Sequence, residues 1–543
     1  MAIILKSYTL RGIKAEPVQV EVEAGNGMPI FSIVGMAGTS VQEAKDRIRG
    51  AISYSGFRFP LTRKIVNLAP AETPKSGGHF DLAIALGLLL ATGQVEAGGF
   101  DGAGFAGGEA GFADLMVIGE LGLNGEVRPA RGALPAAIYA REAGIKKIIL
   151  PLENFAEASL VSELTLVPVT SLREAVECLG GGSGSASNAS EETVRARAQD
   201  CARAQVEQKY PIDFADISGH SMIKRALTVA AAGAHHILMC GPPGSGKSLL
   251  AQAFPSILPE LLPNELLEVL QVYSVFGGAG GGTADVLNGQ RPFRAVHHRA
   301  TPFQVFGGGQ NLSPGEVSLA HRGVLFLDEF PEFARAVMEG LREPLELGNL
   351  RLKFGRHICA YPCRFQLLAA QNPCPCGYAN DADKACICSA ADIARYTRKI
   401  SGPILDRIDI QIEVPRISYE EFRGARAQSG ARGESSAEMR AAVTAARALS
   451  AARFKTEGIL TNQEMGPAQI KSERLCEKSE EILSAAEKHY SLSGRAISKV
   501  IKVARTIADL AGSEHIRTEH LLEALQYRVK RGGHAGKEIY RVD

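Results

Sequence analysis

The pattern of apolar and polar positions changes character along the chain. In residues 1–179, the strict alternation of Val18-Gln19-Val20-Glu21-Val22 predicts a half-buried strand, and the apolar segments 82–92 and 133–143 predict helices. The turn sequence Leu123-Asn124-Gly125-Glu126 is typical of the link between two short strands. We therefore expect a mixed α+β domain in this region.

Residues 210–415 show short, continuous apolar runs instead of alternation. The runs are 237–240, 324–327 and 365–370, and helical patterns separate them. Such runs are typical of strands buried on both faces, as in a parallel α/β sheet. Beyond residue 416 the spacing becomes helical, most clearly in the segments 441–453 and 494–510.

A segment rich in glycine and serine, beginning Gly180-Gly181-Gly182-Ser183-Gly184-Ser185, separates the first two regions and is typical of a flexible linker. We expect a linker over residues 180–209, between an N-terminal domain (1–179) and a nucleotide-binding core (210–415). A helical lid domain (416–543) would follow. Three such domains agree with the 543 residues of the chain, at about 150 residues per domain.

Composition narrows the functional classes. The chain has 60 Lys+Arg against 59 Asp+Glu, a formal net charge of +1, which excludes a uniformly basic protein. Any contact with nucleic acid must therefore be made by locally concentrated charge. The longest apolar stretch, Leu82–Gly93, is shorter than the roughly 20 residues that a membrane span needs. With no signal-peptide pattern and 10 cysteines that form no disulfide framework, we expect a cytoplasmic protein without a membrane partner.

A phosphate-binding loop follows the first buried run. Its residues, Gly241-Pro242-Pro243-Gly244-Ser245-Gly246-Lys247-Ser248, match this motif at every fixed position and precede a helical segment. The glycines let backbone N–H groups surround phosphates, and the helix N-terminus favours an anion. We expect ATP here, with Lys247 on its β- and γ-phosphates and Ser248 on Mg²⁺.

Two further apolar runs end in polar residues that suit hydrolysis. The second run ends in Asp328 and Glu329, at the sheet edge where ligands bind in such folds. We expect Asp328 to support Mg²⁺ and Glu329 to polarise the attacking water. The third run is followed by Asn372, which would sense the γ-phosphate or orient the water. Each of these patterns alone is typical of an ordinary strand end or turn. We interpret them as parts of a hydrolytic site because they occur together with the phosphate loop.

An arginine lies among acids in the segment Ser401-Gly402-Pro403-Ile404-Leu405-Asp406-Arg407-Ile408-Asp409. An arginine in this setting is usually part of a structural ion pair. The segment also resembles those that present an arginine to the nucleotide of a neighbouring subunit.

Together, these motifs occur in the order found in AAA+ ATPases. The chain most resembles the magnesium-chelatase-like group, in particular the ComM/YifB family. Three segments carry this resemblance: 294–298 (Arg-Ala-Val-His-His), 314–323 and 372–377 (Asn-Pro-Cys-Pro-Cys-Gly). The resemblance implies a homo-hexameric ring with Arg407 as an arginine finger acting in trans. It also implies that Arg495, in Leu492-Ser493-Gly494-Arg495, is the second sensor on the helical lid.

The N-terminal region resembles the proteolytic domain of Lon in the segments 119–129 and 143–154. Lon uses a Ser–Lys dyad, and here His79 stands at the serine position and Leu134 at the lysine position. We therefore expect a Lon-protease-like α+β domain without peptide hydrolysis, serving as a scaffold or a nucleic-acid-handling ring. Asp81, at the start of an apolar segment, is expected to cap a helix.

Four cysteines form a compact pattern, with Cys374-x-Cys376 and Cys386-x-Cys388 separated by a short segment. Four thiolates on two turns suit tetrahedral Zn²⁺, although C-x-C spacing departs from the commoner C-x₂-C. The alternative is four reduced thiols in a cytoplasmic loop.

The alternating segment 350–358 predicts a hairpin with a basic tip at Lys353 and Arg356. In the related AAA+ clade such a hairpin projects into the ring pore. Basic residues of the insert before Asp328 would supply a second pore element: Arg291, Arg294, His297, His298 and Arg299. A ring repeats these charges around DNA, so modest local charge suffices. The alternative is an ordinary solvated hairpin.

The function implied by the resemblance is ATP-dependent DNA translocation that drives branch migration during integration of DNA, as in natural transformation. Branched DNA or junctions between single strands and duplex would be the substrate. Two alternatives stay open: a motor subunit for magnesium insertion into porphyrin, and a protein-remodelling chaperone that grips peptide through an aromatic such as Phe354. Lon-like proteolysis ranks last.

Overall fold

The computed structural model describes residues 2–95, 112–179, 210–277, 283–309, 312–355, 357–379, 381, 384–417, 434–490 and 492–528. The predicted linker, Arg356 and the end of the chain lie outside the described residues. Over the described ranges, none of the helices combines the length and apolar character required to cross a bilayer.

The N-terminal region is built from nine strands and five helices in its described part. They are β1 (Ala2–Arg11), β2 (Lys14–Gly25), β3 (Phe31–Val34), α1 (Thr39–Tyr54), β4 (Arg63–Ala69), α2 (Asp81–Ala91), β5 (Leu115–Val117), β6 (Glu120–Leu121), β7 (Val127–Arg128), α3 (Ala133–Glu142), β8 (Lys147–Pro151), α4 (Phe155–Ala158), β9 (Thr165–Val169) and α5 (Leu172–Leu179).

Seven of these strands form one mixed sheet in the order β3-β4-β2-β1-β5-β8-β9. The predicted alternation in β2 is confirmed, because Val18, Val20 and Val22 are buried beneath helix α2. Helix α2 is apolar on every side and almost fully buried, since it lies between the sheet and helix α1. The predicted α+β character is therefore confirmed.

The central region follows a parallel α/β pattern. Its elements are α6 (Ser221–Gly233), β10 (Ile237–Cys240), α7 (Lys247–Ala253), α8 (Pro263–Phe276), α9 (Thr283–Leu287), β11 (Phe293–Val296), α10 (Pro302–Phe306), β12 (Gly307–Gly308), β13 (Ser313–Pro314), α11 (Glu316–Leu319), β14 (Val324–Leu327), α12 (Arg335–Gly340), α13 (Arg342–Leu347), β15 (Asn349–Phe354), β16 (His357–Pro362), β17 (Gln366–Gln371), α14 (Ala390–Thr397), α15 (Gly402–Leu405) and β18 (Ile410–Glu413).

Five strands form the central sheet, in the order β11-β14-β17-β10-β18 and all parallel. The three apolar runs identified in the sequence are the three middle strands, and the third begins at Gln366, one residue later than predicted. Because parallel strands end at the same edge, residues that follow β10, β14 and β17 meet there. The sheet topology thus brings the predicted nucleotide-binding residues together.

The C-terminal region is helical in its described part. Its helices are α16 (Ser436–Arg453), α17 (Pro467–Ser472), α18 (Glu477–Tyr490), α19 (Gly494–Leu510) and α20 (Thr518–Gln526). Helix α19 matches the predicted segment, whereas α16 begins five residues before the predicted start. Ser435 explains that start, since its hydroxyl accepts from the backbone N–H of Glu438 and so caps the helix.

Helix α8 joins the central region to the N-terminal region. The hydroxyl of Ser274 lies 3.3 Å from the backbone nitrogen of Leu134, and its carbonyl accepts from Gly132 at 2.8 Å. Apolar side chains of α8, including Val269 and Leu270, share a buried cluster with helix α3. The two regions are therefore packed together through a shared core.

Candidate nucleotide site and its surroundings

The phosphate loop takes the form that its glycines permit. Strand β10 ends at Cys240, and helix α7 begins at Lys247. Gly244 and Gly246 have φ angles of +77° and +84°, a left-handed conformation that other residues adopt only with strain. A Cβ on Gly241 would lie 2.2 Å from the carbonyl oxygen of Val414, so the neighbouring strand also requires glycine there.

Lys247 lies at the floor of this loop. Its Nζ donates to the carbonyl oxygens of Gly241 and Pro242, at 2.7 and 2.9 Å. Oδ1 of Asn372, the residue after β17, lies 3.4 Å from the same Nζ. Burial lowers the pKa of Lys247. The structure thus brings the predicted Asn372 to the phosphate loop, as the parallel sheet requires.

Ser248 and Asp328 offer a pair of oxygen ligands. The Ser248 hydroxyl donates to Oδ2 of Asp328 at 2.7 Å, and Oδ1 of Asp328 accepts from the backbone N–H of Glu329 at 2.9 Å. A hydroxyl and a carboxylate held this close, beside a phosphate loop, suit Mg²⁺, which prefers hard oxygen donors. The residues therefore fit the predicted metal.

Glu329 follows strand β14 and has a φ of +51°, in the left-handed region. Its side chain is 51% exposed, and its Oε2 lies 3.1 Å from Nδ1 of His298. In the sequence, His298 was interpreted as a loop residue near the pore. The structure instead puts His298 next to the nucleotide site, because of the register of the sheet. Val296 pairs with Leu327, so His298, two residues further on, lies beside Glu329.

The predicted arginine finger, Arg407, and the predicted second sensor, Arg495, share one acidic partner. A carboxylate oxygen of Glu346 accepts from Nη2 of Arg407, and the other lies 3.2 Å from Nη2 of Arg495. The pKa of Glu346 is lowered mainly by its hydrogen bond with Arg407 and to a lesser degree by the charge of Arg495. Neither arginine makes an ion pair or hydrogen bond with the loop 241–248 in the described part of the chain.

Lys499 fixes the backbone next to this arginine pair. It lies one turn after Arg495 on helix α19, and its Nζ donates to the Arg407 carbonyl at 2.6 Å and to the buried Asp409. The lid helix and the Arg407 segment are thus connected within one subunit. Glu346 and Lys499 had no signal in the sequence, because their partners are distant along the chain.

The four predicted cysteines converge. All four ligand atoms lie within 4.8 Å of one another, and the S···S distances among Cys374, Cys376 and Cys386 are 3.3, 3.7 and 3.6 Å. A tetrahedron with Zn–S bonds of about 2.3 Å has S···S edges of about 3.8 Å, so the cluster fits Zn²⁺. The backbone N–H groups of Tyr378 and Ile387 lower the pKa of Cys376 to about 6, which favours the thiolate that a metal needs.

The cysteine loop also contacts the phosphate loop. A Cβ on Gly377, between the first two and last two cysteines, would lie 2.5 Å from Cδ of Pro243. Gly377 has a φ of +85°, so its conformation also favours glycine. The shape of the cysteine loop is therefore coupled to that of the nucleotide loop.

The predicted hairpin is confirmed and is longer than expected, with strands β15 and β16. Lys353 and Phe354 are exposed near its tip, while Arg356 lies outside the described residues. Midway along the hairpin, where Cys359 pairs with Leu352, Cβ of Cys359 approaches the N-terminal region so closely that a Cβ on Gly12 would lie 3.0 Å from it.

Two arginines of the insert are not available as predicted. The Arg291 side chain is 7% exposed and pairs with Glu265 at 2.6 Å. Arg294 pairs with Glu316, also at 2.6 Å. These ion pairs hold the insert together and occupy both guanidinium groups, so neither arginine is a free cation in the described subunit. Arg299 is exposed.

The protease-like positions of the N-terminal region are structural. His79 is buried, its Nε2 lies 2.8 Å from the carbonyl of Tyr8, and burial lowers its pKa to about 4. Leu134 is fully buried. The expected cap at Asp81 was wrong: helix α2 begins at Asp81, whose carboxylate pairs with Arg47 at 2.8 Å instead of capping the helix.

Three family models match the chain. Residues 213–422 match "Magnesium chelatase, subunit ChlI", residues 20–154 match "Subunit ChlI of Mg-chelatase", and residues 433–528 match the C-terminal model of the same subunit. Similarity to individual proteins extends over nearly the full length. "Competence protein ComM" of Haemophilus influenzae is 38% identical over 536 residues, which cover 97% of both chains. "Uncharacterized protein YifB" of Escherichia coli is 37% identical over 527 residues, again 97% of both. An uncharacterized protein of Mycobacterium tuberculosis is 37% identical over 96% of this chain and 97% of its own.

Proposed function

The chain belongs to the ComM/YifB family of magnesium-chelatase-like proteins and is an AAA+-type ATPase, and on this premise we propose that it translocates DNA as a ring of six subunits. The proposal rests on one observation: the residues expected to bind ATP and Mg²⁺ lie apart from the two arginines expected to complete the site. Lys247, Ser248, Asp328 and Asn372 meet at one sheet edge, whereas Arg407 and Arg495 meet elsewhere, at Glu346. A site divided in this way suits hydrolysis completed between neighbouring subunits.

In the proposed reaction, Lys247 and the backbone N–H groups of 241–248 hold the phosphates of ATP. Bound Mg²⁺ would be held by Ser248 and Asp328 and would neutralise phosphate charge. Glu329 accepts the proton of the attacking water, and Asn372 orients that water or the γ-phosphate. Arg407 of the adjoining subunit, assisted by its Arg495, stabilises the developing negative charge.

DNA contact is assigned to the hairpin 349–362 of each subunit. Lys353 is exposed near its tip, and six copies would place six such cations around a central strand or duplex. The middle of the hairpin, at Cys359, packs on Gly12, so movement of the hairpin during hydrolysis would also reach the N-terminal region. A sliding motor needs contacts with the phosphate backbone rather than with base edges.

The similarity to a competence protein supports a role in the uptake or integration of DNA. We infer that the motor promotes branch migration in the cytoplasm while incoming DNA is integrated. The N-terminal region, Lon-like in our interpretation, would serve as a scaffold or handle nucleic acid. We further propose one structural Zn²⁺ at Cys374, Cys376, Cys386 and Cys388.

Steady-state ATPase with and without forked or four-way-junction DNA tests the proposal. We expect stimulation by junction DNA in the wild type, loss of hydrolysis in Glu329→Gln by about 10²–10⁴-fold, and loss of stimulation in Lys353→Ala. The Glu329→Gln variant should still bind ATP, which separates a chemical defect from a folding defect. DNA translocation would be refuted if junction DNA neither stimulated the ATPase nor bound to the protein at moderate salt.

A protein-remodelling chaperone is the second candidate, because Phe354 is 45% exposed beside Lys353. Stimulation of the ATPase by an unfolded protein, lost in Phe354→Ala, would favour it over DNA translocation. A motor for magnesium insertion into porphyrin would instead require a separate catalytic subunit and would be insensitive to DNA.

A further inference from the structure

An open groove lies at one end of the N-terminal region, away from the nucleotide site. Its volume is about 830 Å³, and it is formed by the ends of helices α1 and α2, the end of strand β2 and the loop 57–62. Among the described residues that line it there is no aspartate or glutamate. Two arginines, Arg49 and Arg58, line it together with Phe57, Phe59 and several hydroxyl and amide side chains.

The cations of this groove are not neutralised by the described part of the chain. Arg49 and Arg58 are exposed and form no ion pair with any described carboxylate, whereas Arg47, two residues before Arg49, pairs with Asp81. Arg49 and the buried Lys64 both approach the ring of Phe59, at 5.9 and 4.9 Å from its centroid. The groove therefore concentrates positive charge, and its field favours an anion.

The groove is held in shape before any ligand arrives. The side chain of Gln94 accepts from the backbone N–H of Arg58 at 2.9 Å and donates to its carbonyl at 2.8 Å. Nζ of Lys64 donates to the carbonyls of Pro60 and Thr62, at 2.7 and 2.6 Å. These bonds fix the loop that carries Arg58, so binding would cost little ordering of the backbone.

The size and the apolar surface of the groove identify the kind of anion. Its volume far exceeds that of one phosphate group, and Leu61 on its lining is 80% exposed. Phe57 and Phe59 are half-buried beside the arginines. A single strand of nucleic acid offers both phosphates for arginines and flat bases for apolar and aromatic side chains.

We propose that this groove binds a single strand of nucleic acid through Arg49 and Arg58, as a second DNA contact outside the hairpin 349–362. The proposal rests on the proposed function, because it assigns a further part of the chain to the same substrate. A strand held here and a strand in the ring would be separated from each other, as an unwinding or branch-migrating motor requires.

Fluorescence anisotropy with a labelled oligothymidylate tests the proposal on the full-length protein over a series of salt concentrations. The Arg49→Glu/Arg58→Glu double variant should bind about tenfold or more weakly than wild type. Loss of two phosphate contacts should reduce the slope of log K against log salt by about 1.4. The matched control is Arg141→Glu/Lys146→Glu, an equal charge change near strand β8 on the other half of the sheet, which should bind as wild type.

Other outcomes are decisive. Equal affinity of the groove variant and the wild type would overturn the groove while leaving junction-stimulated ATPase, and so the proposed function, intact. A wild type whose ATPase ignores DNA would refute the motor, even if oligothymidylate binding depended on Arg49 and Arg58. Competition by a free mononucleotide would identify a small-ligand pocket instead. A change in oligomeric mass of the groove variant without a change in affinity would identify an interface between copies, and both results would overturn the proposal.

Discussion

Nδ1 of His298 lies 3.1 Å from Oε2 of Glu329, the residue proposed to activate water. The pair joins the ends of two neighbouring parallel strands, and it is partly exposed, at 28% for His298 and 51% for Glu329. A carboxylate held by a histidine is less available to accept a proton from water. The contact therefore restrains Glu329 in this conformation.

Removing that restraint should raise the basal rate. We expect His298→Ala to increase ATPase activity without DNA by up to about fivefold, since a partly exposed polar contact of this kind contributes about 0.2–1 kcal/mol. DNA should then stimulate the variant less than the wild type. His297→Ala is the matched control, because His297 is adjacent and more exposed but contacts no carboxylate among the described residues. Equal basal rates in wild type and His298→Ala would show that the pair does not restrain hydrolysis.

A mixing experiment tests whether both arginines act on a neighbour. Arg407→Ala should reduce kcat by about 10³-fold or more, as for other arginine fingers, and Lys247→Ala should abolish nucleotide binding. A mixture of the two variants should regain activity, because some interfaces then combine an intact loop 241–248 with an intact Arg407.

Arg495 shares Glu346 with Arg407, so we expect a mixture of Arg495→Ala with Lys247→Ala to regain activity in the same way. If Arg495→Ala alone loses activity that no mixture restores, Arg495 acts on the nucleotide of its own subunit. Glu346→Gln is the control: it removes the shared charge but neither arginine, and the rate should change by no more than about fivefold.

The sequence was sufficient to predict the elements that local pattern determines. The apolar runs ending at Cys240, Leu327 and Ala370 correspond to strands, and their parallel arrangement follows from the helices between them. The convergence of Lys247 with Asn372 follows in turn, because the phosphate loop that leads to Lys247 and the residue Asn372 both follow the carboxyl ends of neighbouring strands.

What the sequence did not predict depends on contacts between distant positions. Asp81 has the composition of a helix cap, but Arg47 on another helix takes its carboxylate. Arg291 looks like a free cation, but Glu265 pairs with it across the insert. In both cases a buried charge needs a partner, and only the fold determines which residue is near enough.

The cysteine cluster gives a prediction about metal. The purified protein should contain one zinc per chain, and Cys386→Ser should lose it, because three thiolates bind Zn²⁺ much more weakly than four. Cys178→Ser, which changes a cysteine outside the cluster, should retain it. Since Gly377 packs on Pro243, loss of the metal should also raise KM for ATP severalfold. Absence of zinc from wild type, measured by elemental analysis, would leave four reduced thiols as the correct interpretation.

The buried Asp81 predicts a dependence of N-terminal stability on pH. Its side chain is 1% exposed, and burial raises its pKa to about 6 although Arg47 opposes the shift. The unfolded chain has an ordinary aspartate pKa near 3.9, so the folded state keeps a proton that the unfolded state releases between about pH 4 and 6. Stability from this group is therefore complete below pH 4 and is lost as pH rises through 6, by up to about 3 kcal/mol.

Asp81→Asn removes this titration, so its stability relative to wild type should improve as pH rises from 4 to 7. Hydrogen exchange of the helix Asp81–Ala91, compared between variant and wild type at each pH, measures the change while the intrinsic exchange rates cancel. Asp114→Asn is the control, since that carboxylate is 54% exposed and its pair with Lys146 contributes little. Leaving Arg47 with an amide partner lowers the stability of the variant by the same amount at every pH. This cost therefore does not affect the slope of relative stability against pH. A difference between Asp81→Asn and wild type that is independent of pH would mean that Arg47 keeps Asp81 ionised throughout, and that pairing rather than burial controls this site.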